Sequence, residues 1–247
     1  MCYHYSLNKK QEEILKMIQS EWELPYEPVY HASGFTFPTM PVITMEQPTR
    51  VQAYSWGLVP HWVRSLEEAS KIRSQTLNAR AETLFEKPAF RSSVMTGRCI
   101  VPADGFFEWM EVGKKKYPHY VHLEGNALFG FAGITNAWTD RETGELLRTF
   151  AVITTDANPF MARIHNMKKR MPVILQPGEW NRWLDPGLEA AQISAMLCPC
   201  DEAHMRAITI SKRITGRGET NVPEVLEEES YPELDSGKQG SLFDLLG

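Results

Sequence analysis

Residues 98–109 read RCIVPADGFFEW. RCIV (98–101) is an apolar run of strand type, and VPADGF carries the proline, aspartate and glycine of a turn. Just beyond it, Glu108 stands between Phe107 and Trp109. Flanking aromatics desolvate a carboxylate, which raises its pKa and suits it to proton transfer. Alternation along a strand would equally well turn the same glutamate to solvent.

Working outward, similar runs lie at PVITM (41–45), RVQAYSWGLV (50–59), HYVHL (119–123), ALFGFAGI (127–134), RTFAVITT (148–155), MPVIL (171–175) and MRAITIS (205–211). Short strands with long irregular connections predict an α+β domain, an antiparallel β core with helices on its surface. The 8–22 stretch has a helical apolar face of Ile14, Leu15, Ile18 and Trp22. Asn158-Pro159 opens a brief helix ending near His165, because asparagine caps and proline suits the first turn; another covers 188–197. The acidic residues after about 216 read as a mobile tail, so a first domain spans 2–216 and the tail 217–247.

The chain has 247 residues, 43% of them hydrophobic and 11% aromatic, a folded rather than a disordered composition. No apolar run approaches the ~20 residues of a membrane helix. A secretory signal is not evident, and four cysteines at 2, 99, 198 and 200 form no disulfide framework. A cytoplasmic location is therefore expected. The net charge of −5 conceals a division: residues 219–247 carry −7 and residues 1–218 carry +2. A local basic groove for nucleic acid is compatible with that body but not required by it.

Three segments hold candidate chemistry. In LNARAET (77–83), Asn78 offers a donor and an acceptor, and Arg80 a fork suited to phosphate; a turn with an exposed arginine fits too. Glu108 is the second candidate. The third is His165, at a predicted helix end before Lys168, Lys169 and Arg170, where a structural histidine is also a fair reading.

Taken in order, MC (1–2), WGLVPHW (56–62), NARAET (78–83), RCIVPADGFFEW, FAGI (131–134) and IH with RMPVIL (164–175) resemble the SOS response-associated peptidase family over about 210 residues. The resemblance implies an α+β fold with a mainly antiparallel, barrel-like core. It also implies a nucleoid-associated, single-stranded DNA-binding protein that senses abasic sites and bonds covalently to them through its N-terminal cysteine. Chemistry supports the assignment. A ring-opened abasic site carries an aldehyde, and an N-terminal cysteine is an aminothiol. Its amine condenses to an imine and its thiol closes a thiazolidine ring, with reference pKa values of ~7.7–8.0 and ~8.5. Met1 must leave first, and the family is credited with removing it.

By that resemblance Cys2 is the nucleophile, Asn78 holds its amine, Glu108 relays protons during imine formation, and His165 assists at the sugar and in reversal, a lyase-like Schiff-base chemistry. Arg80 and Arg91 grip phosphates, Trp62 stacks on a base, and Thr154 belongs to the site. No cofactor or metal is expected, and the protein is expected to be a monomer. Cys198-Pro-Cys200 with His204 lacks the fourth ligand and spacing of a zinc site. Two readings of another class stand beside this one: an autoprocessed N-terminal-nucleophile cysteine peptidase, and a non-covalent single-strand binder.

The chain departs from the family at MCYH, where MCGR is usual, and at YHASG (30–34), where an Asn-x-x-Pro pattern is usual; extra residues also separate His165 from Arg170. Near the end, Gln239, Leu242 and Phe243 in KQGSLFDLLG (238–247) resemble the Q-x-x-L-F peptide that binds the bacterial sliding clamp. A tail folded back on its own body is the alternative.

Overall fold

The computed structural model describes residues 2–18, 21–22, 25–216 and 218–234. Its strands are β1 (His4–Leu7), β2 (Glu21–Trp22), β3 (Val29–Ser33), β4 (Thr39–Thr44), β5 (Arg50–Trp56), β6 (Asn78–Arg80), β7 (Arg98–Ala103), β8 (Gly105–Val112), β9 (Lys115–Leu123), β10 (Phe129–Thr139), β11 (Leu146–Asp156), β12 (Arg170–Pro172), β13 (Ile174–Leu175) and β14 (Met205–Thr209). The helices are α1 (Gln11–Ile18), α2 (Leu66–Arg73), α3 (Ser93–Thr96), α4 (Pro159–Ile164), α5 (Trp180–Trp183) and α6 (Ala190–Met196).

Strands β5, β4, β7, β10 and β11 run side by side, and a parallel pairing of Thr149 with Ser55 and Phe150 with Trp56 closes them into a barrel. All other neighbours in that ring are antiparallel. Closure removes the exposed edges that an open sheet would present. A second sheet, in the order β14-β9-β8-β1-β3, packs beside it. Both features agree with the α+β, barrel-like expectation.

Residues 98–109 join the two sheets. The expected turn is a single residue, Asp104, between β7 of the barrel and β8 of the second sheet. Asp104 is buried and accepts hydrogen bonds from Ser6 Oγ (2.6 Å), Lys9 N (3.0 Å) and Asn8 N. The carboxylate thereby satisfies two backbone donors just after β1 that would otherwise be orphaned. They also bind β7–β8 to the far end of β1. At Gly105 a Cβ would sit 2.2 Å from the Tyr120 ring, so only glycine fits there.

Alternation then sorts β8. Phe106 packs with Tyr5, Phe129 and Phe131 in the interior between the sheets, and Phe107 packs with Tyr120, Ile210 and Val225 on the other face. Glu108 shares the face of Phe106 and Trp109 that of Phe107. Arg98 is fully buried; its guanidinium donates to the carbonyls of Val94, Trp183 and Asp185 at 2.6–2.9 Å and so caps the ends of α3 and α5.

Two expectations are corrected. The first helix stops at Ile18, and Trp22 belongs to β2, where it meets Tyr26 edge-on at 4.8 Å. The acidic segment expected to be a mobile tail is docked over 218–234: Val225 is fully buried, and Tyr231 Oη donates to the Ile210 carbonyl at 2.7 Å. Single apolar residues in an acidic run carry no periodic signal, so nothing local marked the segment as packed.

Candidate functional site

Cys2 lies two residues before β1 and is fully buried within the aromatic cluster of Tyr5, Trp56 and Phe131. Its thiol is a donor to the His4 carbonyl at 3.6 Å. Burial pushes the thiol well above the usual cysteine range, and the nearby Glu108 charge pushes it the same way. The charge of Glu108 thus acts directly on Cys2.

Glu108 is 4% exposed and stands opposite His119 across the β8–β9 pairing. Burial raises its carboxyl to about 7. His165 caps the C-terminal end of α4, whose start is set by Asn158: its Oδ1 accepts from Met161 N at 2.8 Å, with Pro159 in the first turn. His165 Nδ1 donates to the Arg170 carbonyl at 2.8 Å, which leaves Nε2 as the ring's acceptor. The same Nδ1 is 3.6 Å from Glu108 Oε1. Burial lowers His165 to about 4, so the imidazole is neutral at neutral pH and the approach is not an ion pair.

Asn78 is buried on β6, beside Val152 of β11, and neither its amide nitrogen nor its oxygen has a hydrogen-bond partner among the described residues. An orphaned buried amide costs about 1–3 kcal/mol, which a ligand presenting both a donor and an acceptor would recover. Arg80, two residues on, is exposed, and its charge reaches the half-buried Tyr3 phenol that Glu108 also affects. The end of β6 and the N-terminus therefore converge.

Trp62 is 46% exposed, outside the core, and its Nε1 donates to the Pro88 carbonyl at 3.4 Å. Arg91 is exposed in the same 87–91 turn. Thr154 sits elsewhere in kind: it is fully buried, with its carbonyl accepting from Arg170 Nη2 at 2.8 Å and its Oγ1 at 3.5 Å from that nitrogen. Gln239, Leu242 and Phe243 lie outside the described residues.

Sequence reasoning missed Arg170 as an organiser. Its guanidinium makes a fork to Glu82, at 2.6 and 3.0 Å, and a further bond to Asp156 at 2.8 Å. The fork joins RMPVIL to NARAET, so two of the quoted motifs were the available signal. A cavity of about 570 Å³ opens over the site, lined by Tyr3, His4, Glu108, Trp109, His165 and Lys168. A cavity of similar size, about 520 Å³, lies beside Lys9, Asp104 and Tyr120, but its buried carboxylate is already occupied by Ser6, Asn8 and Lys9. Among the described residues no group of three His, Cys, Asp or Glu side chains could hold a metal, and no helix is long and apolar enough to cross a membrane.

The chain resembles known proteins over almost its whole length. The family model described as SOS response associated peptidase (SRAP) matches residues 1–216. The abasic site processing protein YoqW of Bacillus subtilis (strain 168) is 35% identical over 232 residues, taking in 92% of this chain and 99% of its own. The abasic site processing protein YoaM of the same organism is 34% identical over 236 residues, 94% of this chain and all of that one. A crystal structure of a Bacteroides thetaiotaomicron protein superposes with a TM-score of 0.88 at 40% identity, covering 93% of this chain and 100% of the other.

Proposed function

The chain belongs to the SOS response associated peptidase family, and from that premise we propose that it senses abasic sites in single-stranded DNA and bonds to them through Cys2. One observation carries the reading: Cys2, Glu108 and His165 meet in one buried site, with Glu108 Oε1 3.6 Å from His165 Nδ1 and its charge felt at the Cys2 thiol. Loss of Met1 makes Cys2 an aminothiol. Its amine attacks the aldehyde first, because burial keeps the thiol protonated. Asn78 supplies the donor and acceptor that hold the amine and the carbinol oxygen. Glu108, titrating at about 7, takes and returns protons, and His165 Nε2 serves as the neutral acceptor at the sugar. The thiol then adds to the imine carbon and closes the thiazolidine.

Arg80 and Arg91 grip phosphates on either side of the lesion, and Trp62 stacks on a neighbouring base. Thr154 acts indirectly, by holding Arg170. Removal of Met1 by the same residues, and clamp recruitment through Gln239, Leu242 and Phe243, complete the reading. The clamp contact is checked by a pulldown in which changing Leu242 and Phe243 to alanine must abolish capture.

The test of the main reading mixes full-length protein with an oligonucleotide bearing one abasic site and looks for a species that survives denaturation. Wild type shifts and Cys2→Ala does not. A Cys2→Ser protein crosslinking as stably as wild type would contradict the thiazolidine, and peptide cleavage without any crosslink would favour an N-terminal-nucleophile peptidase.

A further inference from the structure

The two departures from the family pattern, MCYH and YHASG, meet in space. Strands β1 and β3 pair with His4 opposite Ser33 and Tyr5 opposite Ala32. On that edge His4 Nδ1 is 2.9 Å from His31 Nε2, and His31 Nδ1 is 2.8 Å from Thr220 Oγ1. The two rings lie within 20° of parallel, and Trp109 and Phe107 hold them edge-on at 5.0 and 5.3 Å. Asn221 anchors the third member, since its Oδ1 accepts from the backbone nitrogens of Tyr30 (2.8 Å) and His31 (3.2 Å). At the other end His4 lines the cavity that also holds Glu108 and His165, and its Nε2 has no hydrogen-bond partner among the described residues.

We propose that His4, His31 and Thr220 form a proton relay ending on His4 Nε2, and that His4 is a further proton-transfer residue for crosslinking. This rests on the reading given under Proposed function. Burial lowers His4 to about 3 and His31 to about 4, so both rings are neutral at neutral pH and each carries one proton. Three hydrogen-bonding groups with one proton each have two settings. In one, the Thr220 hydroxyl donates to His31, His31 to His4, and His4 Nε2–H faces the cavity. In the other every proton has moved one place and Nε2 is a bare acceptor.

Neither setting puts a charge on a ring. The chain passes from the first to the second when His4 Nε2–H protonates the hydroxyl of the carbinolamine formed by the Cys2 amine and the aldehyde. The carbon–oxygen bond breaks, water leaves, and the nitrogen lone pair forms the iminium. The Cys2 sulfur then bonds to the iminium carbon, whose π electrons pass to nitrogen, and the thiol proton goes to Glu108. One proton enters through Thr220 from solvent and one is collected at Glu108, so the sum is aminothiol plus aldehyde giving thiazolidine plus water. Thr220 and His31 are positioning residues in this scheme, and His4 is the member that delivers the proton into the cavity.

The test measures single-turnover crosslinking of the full chain to an oligonucleotide with one abasic site. Thr220→Val should slow it by about tenfold or more, within the range of general acid catalysis, while Thr220→Ser keeps the wild-type rate. In mixtures of light and heavy water the wild-type rate should bow below a straight line, and Thr220→Val should be linear. His4→Gly should be slow and recover with added imidazole. Wild-type rates in both Thr220→Val and His4→Gly would overturn the relay. So would slow variants that keep the bowed dependence and ignore imidazole, which would leave the pair a packing contact only. Either result leaves the crosslinking reading intact, whereas a wild type that never crosslinks removes both.

Discussion

Glu108 Oε1 and His165 Nδ1 approach to 3.6 Å while burial shifts the two groups in opposite directions, the carboxyl up to about 7 and the imidazole down to about 4. Between about pH 4 and 7 the site thus holds a protonated carboxyl beside a neutral imidazole whose acceptor atom is Nε2, two groups able to handle protons near neutrality. Crosslinking should rise with pH through a midpoint near 7 as Glu108 ionises, and Glu108→Gln should remove that limb and most of the rate. A pH–rate profile of the two proteins checks this.

Stability should show the reverse balance. Between about 4.5 and 7 the folded state holds a proton on Glu108 that the unfolded chain has lost, so this group favours folding less as pH rises. His165, His4 and His31 bind fewer protons folded than unfolded between their lowered values and 6.5, and each favours folding more as pH rises. His119 is lowered by burial in the same sense and Asp104 raised like Glu108, so with four histidines against two carboxyls the melting temperature should fall on acidification from pH 6.5 to 4. Glu108→Gln should steepen the fall, and a shallower fall in calorimetry would refute the assignment.

Asn78 carries two unsatisfied polar atoms in a buried position. Asn78→Leu, close in volume, should stabilise the free protein by about 1 kcal/mol because it removes that burden. The same change should reduce crosslinking by at least tenfold. Opposite signs for stability in urea and for rate are the expected signature of a group kept for a ligand.

The Arg170–Glu82 fork makes an asymmetric prediction. The arginine side chain is 10% exposed and the glutamate 46%. Arg170→Gln should cost about 2 kcal/mol, since the largely buried guanidinium loses its charged hydrogen bonds, one of them to the Thr154 carbonyl. Glu82→Gln should cost about 1 kcal/mol or less, because solvent screens that side and Asp156 remains. Urea midpoints of the two variants distinguish these values.

Exposed Arg80 and Arg91 should each account for one phosphate. Changing either to glutamine should lower the slope of log affinity against log salt by about 0.7, the value for single strands. Trp62→Ala should weaken binding by about 1–3 kcal/mol with the slope unchanged, because stacking releases no counterion. Titrations at several salt concentrations, on a variant unable to crosslink, separate the two effects.

What could be read from the sequence was local. The strand runs from 41 to 211 and the Asn158-Pro159 helix start rest on side-chain shape and capping within a few residues, and the family resemblance rests on motifs that keep those residues in order. Trp22 was misplaced because a helical apolar face does not say where a helix stops. The side on which Glu108 points was open for the same reason: alternation assigns it a partner face with Phe106 but not which face is interior.

The residues themselves determined an antiparallel β core, a cysteine at position 2, and the list of polar groups from which a site could be assembled. Only the tertiary structure decided that β11 closes on β5, that the 218–234 segment covers the second sheet, that Arg170 ties NARAET to RMPVIL, and that His4 meets His31. These contacts join residues from 21 to almost two hundred positions apart. Their gain comes from burial and hydrogen bonding that exist only once distant strands have paired, and no propensity acting over a few residues reports it.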